Sequence, residues 1–293
     1  MKDFSITSPN INKRSVARQG LNPKLKFRNS KSAIHSHICI LMSAIQPYIN
    51  EQFNGDIWRI EIDEISDTLV AEIRSSADKQ VAFASISLVS GKTYFKNFSL
   101  PERWLTGVEA AFDGVLLLHN YQSEAGPMHK GLVAVDVFSG QVLWSNYTLA
   151  FDHLSVEGPI VYDLHIHPRR LFLADVKTGA TKRVFEPSVY QKLPNNIVIP
   201  VKTADWLTAA GLPVHPCGET VYCLDYNNFR IVSLHALKAE VLTQLIFITH
   251  GGYIVYQDIL NAGIQKLQPE AFIMHNNRLI YIKNKSELKV LTM

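Results

Sequence analysis

One phrase recurs along this chain: an apolar run, an acidic or small polar residue, two spacers, a Ser-Gly or Thr-Gly pair, then a second apolar run. Its clearest copy is Ala134-Val-Asp136-Val-Phe-Ser139-Gly140-Gln-Val-Leu-Trp144. Ser87-Leu-Val-Ser90-Gly91-Lys-Thr-Tyr-Phe95 precedes it, and Ala174-Asp175-Val-Lys-Thr178-Gly179 follows. Glycine supplies the positive φ of a tight hairpin, and a polar side chain three residues ahead of the Ser or Thr bonds back to the turn amides. Gly91, Gly140 and Gly179 are therefore expected in hairpins joining antiparallel strands. The aromatic four residues past glycine, Phe95 or Trp144, falls on the second strand, where it wedges between neighbouring sheets. Trp144 is expected to be well buried with its indole N–H paired. Fainter echoes lie at Asp225–Phe229, Asp258–Gly263 and Lys283–Glu287.

Repetition at such a period means an array of small supersecondary units. Beyond about residue 55, runs of four to eight Val, Ile, Leu, Tyr and Phe residues are bounded by Gly, Pro, Asn or Asp, the signature of strands. Residues 51–293 divided by blades of about 40–45 residues give five or six units, with five favoured. The expected fold is all-β, a propeller-like ring of antiparallel sheets. Ile57–Ile62, ahead of the first full repeat, is expected to complete the last blade and close the ring.

Residues 1–50 differ in kind. They carry eight Lys or Arg against one acid, leaving 21 basic and 25 acidic residues for the remainder. The overall charge of +3 is thus set by a basic segment, and the body lacks the basic stripe that nucleic-acid binding needs. Residues 1–32, rich in Ser and Asn, read as disordered. Met42 is an alternative start. The apolar run Ile38–Ile45 is a poor secretory core and far too short to span a bilayer. Three cysteines without metal-type spacing read as free thiols, so a cytoplasmic monomer is expected, with export as the alternative.

The segment Ala134–Trp144 resembles the repeat of quinoprotein-type propellers, in which an Ala-x-Asp-x-x-Thr/Ser-Gly turn is followed by Trp. Longer stretches resemble an uncharacterised bacterial family known only as a domain of unknown function. They include Asp56-Ile-Trp58-Arg59, Phe95–Trp104 and His129-Lys130-Gly131-Leu132 running on to Tyr147, and the resemblance covers most of residues 56–293. It implies a propeller-like fold and no activity. The quinone cofactor, PQQ, is not expected, because the chain has no adjacent Cys pair and is too short for eight blades.

Two groups of residues invite a functional reading. Asp163-Leu-His165-Ile-His167, read as a strand, places three ligands on one face. His119 and His275 end similar apolar runs (LLLHN, FIMHN). Converging, these five residues would hold Zn²⁺ or Mn²⁺; apart, each His bonds a carbonyl at a strand end. The second group is the pair of loops flanking Val115–His119. They carry Trp104, Glu109, Tyr121, Glu124, Met128, His129 and Lys130, and loops on a rigid scaffold are where binding sites sit. Common hydrolase and nucleotide-binding motifs are absent. The readings are a non-enzymatic propeller binding a protein or small molecule on one face, or a metal-assisted hydrolase or lyase. An exported envelope scaffold is a third.

Overall fold

Turn chemistry is where the computed structural model begins to take shape. It describes residues 45–186, 191–204, 211–218, 221–269 and 271–293. In each repeat the glycine has φ near +72° and its N–H donates to the carbonyl four residues back, at Ser87, Asp136 or Asp175. Oδ1 of Asp136 accepts the Phe138 and Ser139 amides at 3.0 and 2.7 Å, and Oδ1 of Asp175 accepts those of Lys177 and Thr178 at 3.0 and 2.9 Å. All three glycines sit in hairpins, as the turn chemistry requires.

The strands form five antiparallel sheets, with no helix among the described residues. β1 (Ile49–Gln52) is followed by sheet 1, built of β2 (Asp56–Asp63), β3 (Thr68–Ser75), β4 (Gln80–Ser87) and β5 (Thr93–Phe98). Sheet 2 holds β6 (Thr106–Phe112), β7 (Val115–Ser123), β8 (Gly126–Asp136) and β9 (Val142–Asn146). Sheet 3 holds β10 (Leu149–Ser155), β11 (Gly158–Asp163), β12 (Leu171–Ala174) and β13 (Thr181–Val184). After β14 (Ile197–Val198) comes sheet 4, with β15 (Val201–Thr203), β16 (Val221–Tyr226), β17 (Phe229–Lys238), β18 (Val241–His250) and β19 (Tyr253–Ala262). The last strands, β20 (Ile273–His275), β21 (Arg278–Lys283) and β22 (Glu287–Thr292), join β1 and β14 in sheet 5, in the order β1-β22-β21-β20-β14.

Apolar faces meet between sheets. Ile49, Leu288 and Val290 pack with Leu69, Ala71 and Ile86 between sheets 5 and 1. Val70, Phe83, Val108 and Leu118 fill the seam of sheets 1 and 2. Leu132, Leu149 and Val161 join sheets 2 and 3, and Ile246, Leu260, Leu279 and Leu291 join 4 and 5. Asp63 adds a polar clamp. Its fully buried carboxylate accepts amides of its own turn and, from the next sheet, those of Asp113 and Gly114 at 3.1 and 2.7 Å.

The repeat glycine also docks on the preceding unit. A Cβ at Gly140 would lie 3.4 Å from the Phe95 ring, and one at Gly179 would lie 2.7 Å from that of Trp144. The aromatic four residues past one glycine is thus the platform for the next glycine turn. Trp144 donates its indole N–H to the Val176 carbonyl at 2.8 Å. It is half-buried rather than fully enclosed, because β9 is the edge strand of its sheet.

Three readings need correction. Ile57–Ile62 does not complete the last unit: it lies in β2 and opens sheet 1, while β1 pairs with β22 from the other end of the described chain. β1 also straddles the boundary expected at residue 50. Asp258–Asn261 lies inside β19 and is no turn. The other two echoes are hairpins of another kind, with two consecutive left-handed residues, Asn227-Asn228 and Asn284-Lys285. The expectations for residues 1–32, Met42 and Ile38–Ile45 fall wholly or mainly outside the described residues. Cys217 and Cys223 are free thiols.

Candidate functional site

At the seam of sheets 1 and 2 the strands bring ionisable and aromatic side chains together in unusual density. β6 carries a bulge between Val108 and Ala110 where it pairs with β7, and the extra residue is Glu109. A bulge re-aims a side chain out of the alternating pattern. Glu109 is swung toward His119, which β7 places opposite Gly107. A second irregularity at Gly131 (φ 69°) separates the Leu132–His119 pair from the Lys130–Asn120 pair. It brings His129 alongside.

The result is compact. Nδ1 of His129 and Nδ1 of His119 lie 2.9 and 2.8 Å from the same oxygen, Oε2 of Glu109. The imidazoles stack, with centroids 3.5 Å apart and planes 7° from parallel, and the Tyr121 ring stands edge-on to both. Gly107 is required by space: a Cβ there would meet the His119 ring at 3.0 Å. His119 is only 2% exposed, yet neither of its ring nitrogens has an aligned hydrogen-bond partner. Its contact with Glu109 is close in distance and poor in direction.

Around this core lies a second tier. Glu72, buried on β3, accepts Nε of Arg74 at 2.6 Å and the Val108 amide at 2.8 Å. Arg74 also donates to the carbonyls of Trp104 and Thr106, and its guanidinium lies 5.2 Å from the Trp104 ring centroid, 5.9 Å from Trp58 and 6.0 Å from Tyr121. Trp58 is 69% exposed, a large apolar surface offered to solvent. Glu102 holds the adjoining loop by accepting the Trp104 and Leu105 amides. On β2, Arg59 donates to the Val108 and Glu109 carbonyls and to the Glu61 carboxylate.

The carboxyls respond in opposite senses. Burial pushes Glu109 up, but the two imidazoles crowded against its carboxylate outweigh it and hold the group below its usual value. Burial raises Glu61, Arg59 offsets only part of that, and Glu109 adds to it. Carboxyls driven apart in this way mark places where protonation is set by the fold. Beside the cluster, a cleft is lined by Leu100, Leu105, Tyr121, Lys130, Val142 and Tyr147.

The expected surface is thus partly assembled. Trp104, Glu109, Tyr121 and His129 converge, and Lys130 lines the cleft. Met128 is exposed, and Glu124 makes an exposed pair with Lys79 at 3.3 Å. The expected metal set is dispersed. β11 stops at Asp163, whose Oδ1 accepts the His165 amide in a turn, so His165 and His167 lie on an exposed loop rather than a strand. His275 is buried on β20 against Glu64 at 2.9 Å. Among the described residues, the one set of three or more His, Cys, Asp or Glu donors within 4.8 Å of one another is Glu109, His119 and His129. Trp58, Glu72, Arg74 and Gly107 were not singled out from sequence; Trp58 had surfaced only within a family-like phrase.

Residues 62–144 match the family described as "Domain of unknown function (DUF4905)". The match is narrower than the 56–293 suggested by resemblance, but it contains the whole cluster apart from Trp58, Arg59 and Glu61. No curated protein sequence matches the chain. Among solved structures, the Raptor protein of Chaetomium thermophilum is 8% identical with a TM-score of 0.35, over 85% of this chain and 28% of that one. A prolyl endopeptidase structure is 13% identical with a TM-score of 0.28, over 88% of this chain and 34% of that one. This chain spans well under half the length of either. Among the described residues no helix is long and apolar enough to cross a membrane.

Proposed function

We propose that the five sheets are the blades of a propeller-like ring, and that the protein is a non-enzymatic binding module engaging a protein or small molecule at the seam of sheets 1 and 2. Two features support the ring. Apolar faces meet between sheets 5 and 1, 1 and 2, 2 and 3, and 4 and 5, and β1 from the start of the described chain completes the sheet that contains its last strands. Removing residues through Gln52 should then open the closure and lower the melting temperature far more than any surface substitution.

The observation that carries the binding reading is Trp58. A tryptophan 69% exposed, beside Arg74 and the half-buried Trp104 and Tyr121, has the composition of an interface hot spot, where Trp, Tyr and Arg dominate. The neighbouring cleft supplies a concave apolar floor with Lys130 at its edge. The free thiols of Cys217 and Cys223 suit a reducing, cytoplasmic setting. A photo-crosslinking residue at Trp58 or Tyr147, in cells that make the protein, should trap a discrete adduct. The same residue at Leu237, exposed and apolar in sheet 4, should not. Equal trapping at both places, or at neither, overturns the assignment of this face.

A further inference from the structure

We propose that Glu109, His119 and His129 bind one divalent transition-metal ion, zinc being the best chemical match. This site is separate from the partner-binding reading and stands whether or not Trp58 engages anything.

Four observations carry it. The donors are two imidazole nitrogens and one carboxylate oxygen, a set that suits zinc and its first-row neighbours and is poor for calcium or magnesium, which take oxygen. His119 is almost fully buried with both ring nitrogens lacking an aligned partner. Buried polar groups are normally satisfied, and an ion accepting the Nδ1 lone pair satisfies this one. Two nitrogens lie 2.8 and 2.9 Å from a single Glu109 oxygen, so the three donor atoms are already clustered within reach of one ion. Three carboxyl side chains, Glu61, Glu72 and Glu109, also stand against two arginines, Arg59 and Arg74, around the site.

The surroundings define what must move. The ring of His119 is fixed by its seat over Gly107 and by the edge of Tyr121. Parallel stacked rings cannot both aim a lone pair at one ion, so one must turn. That ring is His129, the more exposed of the two, with 36% of its side chain open to solvent. Oε2 of Glu72 and Nε2 of His119 both lie close to Gly107, at 3.3 and 3.0 Å from where a Cβ would stand. Three protein ligands leave a fourth position for a further ligand, as in open zinc sites.

The test uses tag-free full-length protein, stripped with chelator and titrated with Co²⁺ and Zn²⁺. One ion per chain is expected, with visible d–d absorption from Co²⁺ that Zn²⁺ abolishes by competition. His129→Ala, at a partly exposed position, and Glu109→Gln should each weaken Zn²⁺ by at least about 100-fold. That exceeds or matches the roughly 10–100-fold cost of losing a supporting partner. A double variant, His165→Ala with His167→Ala, should bind as the parent does. Circular dichroism establishes that each variant is folded. No ion bound by the parent, unchanged affinity in folded His129→Ala, or loss of the ion in the His165/His167 variant would each overturn the site.

Discussion

The seam between sheets 1 and 2 and the seam between sheets 4 and 5 both bury a carboxylate among ionisable neighbours, and they treat it in opposite ways. Between sheets 4 and 5, Asp258 of β19 has both oxygens fully used. Oδ2 accepts the Tyr281 hydroxyl at 2.8 Å and Nζ of Lys289 at 2.9 Å. Oδ1 accepts Nζ of Lys283 and the Ile259 amide, both at 2.8 Å. Tyr281 shares its hydroxyl with Tyr256 at 2.7 Å, and burial drives its pKa well above the ordinary phenol value. Between sheets 1 and 2, Glu109 shares one oxygen between two imidazoles, and the buried ring of His119 is left unsatisfied. A cluster with every valence filled has no capacity for a ligand and holds sheets together. One with valences left over costs stability, and such a cost is expected at functional sites.

The comparison breaks most easily at Asp258. Replacing it with Asn leaves Lys283 without a carboxylate and Lys289 with only Glu287 at 3.4 Å, and loss of one partner of a buried ion pair costs about 3–5 kcal/mol. Some solvent reaches all three side chains, so about 3 kcal/mol is expected in a denaturant titration at pH 7. Burial raises Asp258, but Lys283, Lys289 and Tyr281 together depress it. Its stabilisation is therefore complete above the unfolded-state value of about 3.9 and is lost as pH falls through the lower folded value. Parent stability should drop in that acid range, and Asp258→Asn should flatten the drop. A cost under about 1 kcal/mol, with no change in the acid limb, would remove the contrast between the seams.

The next effect concerns how repeat units dock. Gly179 has φ 73° and the Trp144 ring against it, whereas Gly263 has φ 69° and open space around it. Gly263→Ala should cost only the backbone strain, about 1 kcal/mol. Gly179→Ala adds displacement of the Trp144 ring, and about 2–3 kcal/mol in all is expected. Trp144→Ala should cost a similar amount, below the range for a fully enclosed Trp. In the double variant the two costs should fail to add. Additivity within about 0.3 kcal/mol would mean that the ring and the glycine are not coupled.

What was legible in the sequence follows the reach of each interaction. The glycine hairpins depend on an acid or serine and an amide three residues apart, so Asp136 with Ser139 and Asp175 with Thr178 were readable directly. The partner of a strand is not local, and Ile57–Ile62 was assigned to the wrong end of the array because nothing in β1 itself advertises β22. The Glu109–His119 contact needs the bulge at Glu109, which depends on pairing register rather than on residue type. Glu72 reaches the same place from 35 or more residues away, through sheet packing alone. His165 and His167 misled for a local reason: Asp163 spends its carboxylate on the His165 amide and ends the strand that would have aligned them.

The smallest expected effects lie in the seam with valences to spare. His119→Leu removes two unsatisfied buried nitrogens and keeps most of the volume over Gly107. Replacing an unsatisfied polar group with an apolar one of similar shape is close to neutral or stabilising, so stability should change by less than about 1 kcal/mol while metal binding is lost. Trp58→Ala should change it still less. Its ring is mostly in water, and its contact with Arg74 at 5.9 Å is an exposed cation–π pair, worth about 0.5 kcal/mol. Arg74 keeps Glu72 and two carbonyls without it. A cost above about 1.5 kcal/mol would make Trp58 part of the packing, and the sheet 1–sheet 2 seam would then resemble the filled one at Asp258. A near-zero cost, together with loss of the crosslinked adduct from Tyr147, would mean that this tryptophan is kept exposed for a partner and that the two seams serve different ends.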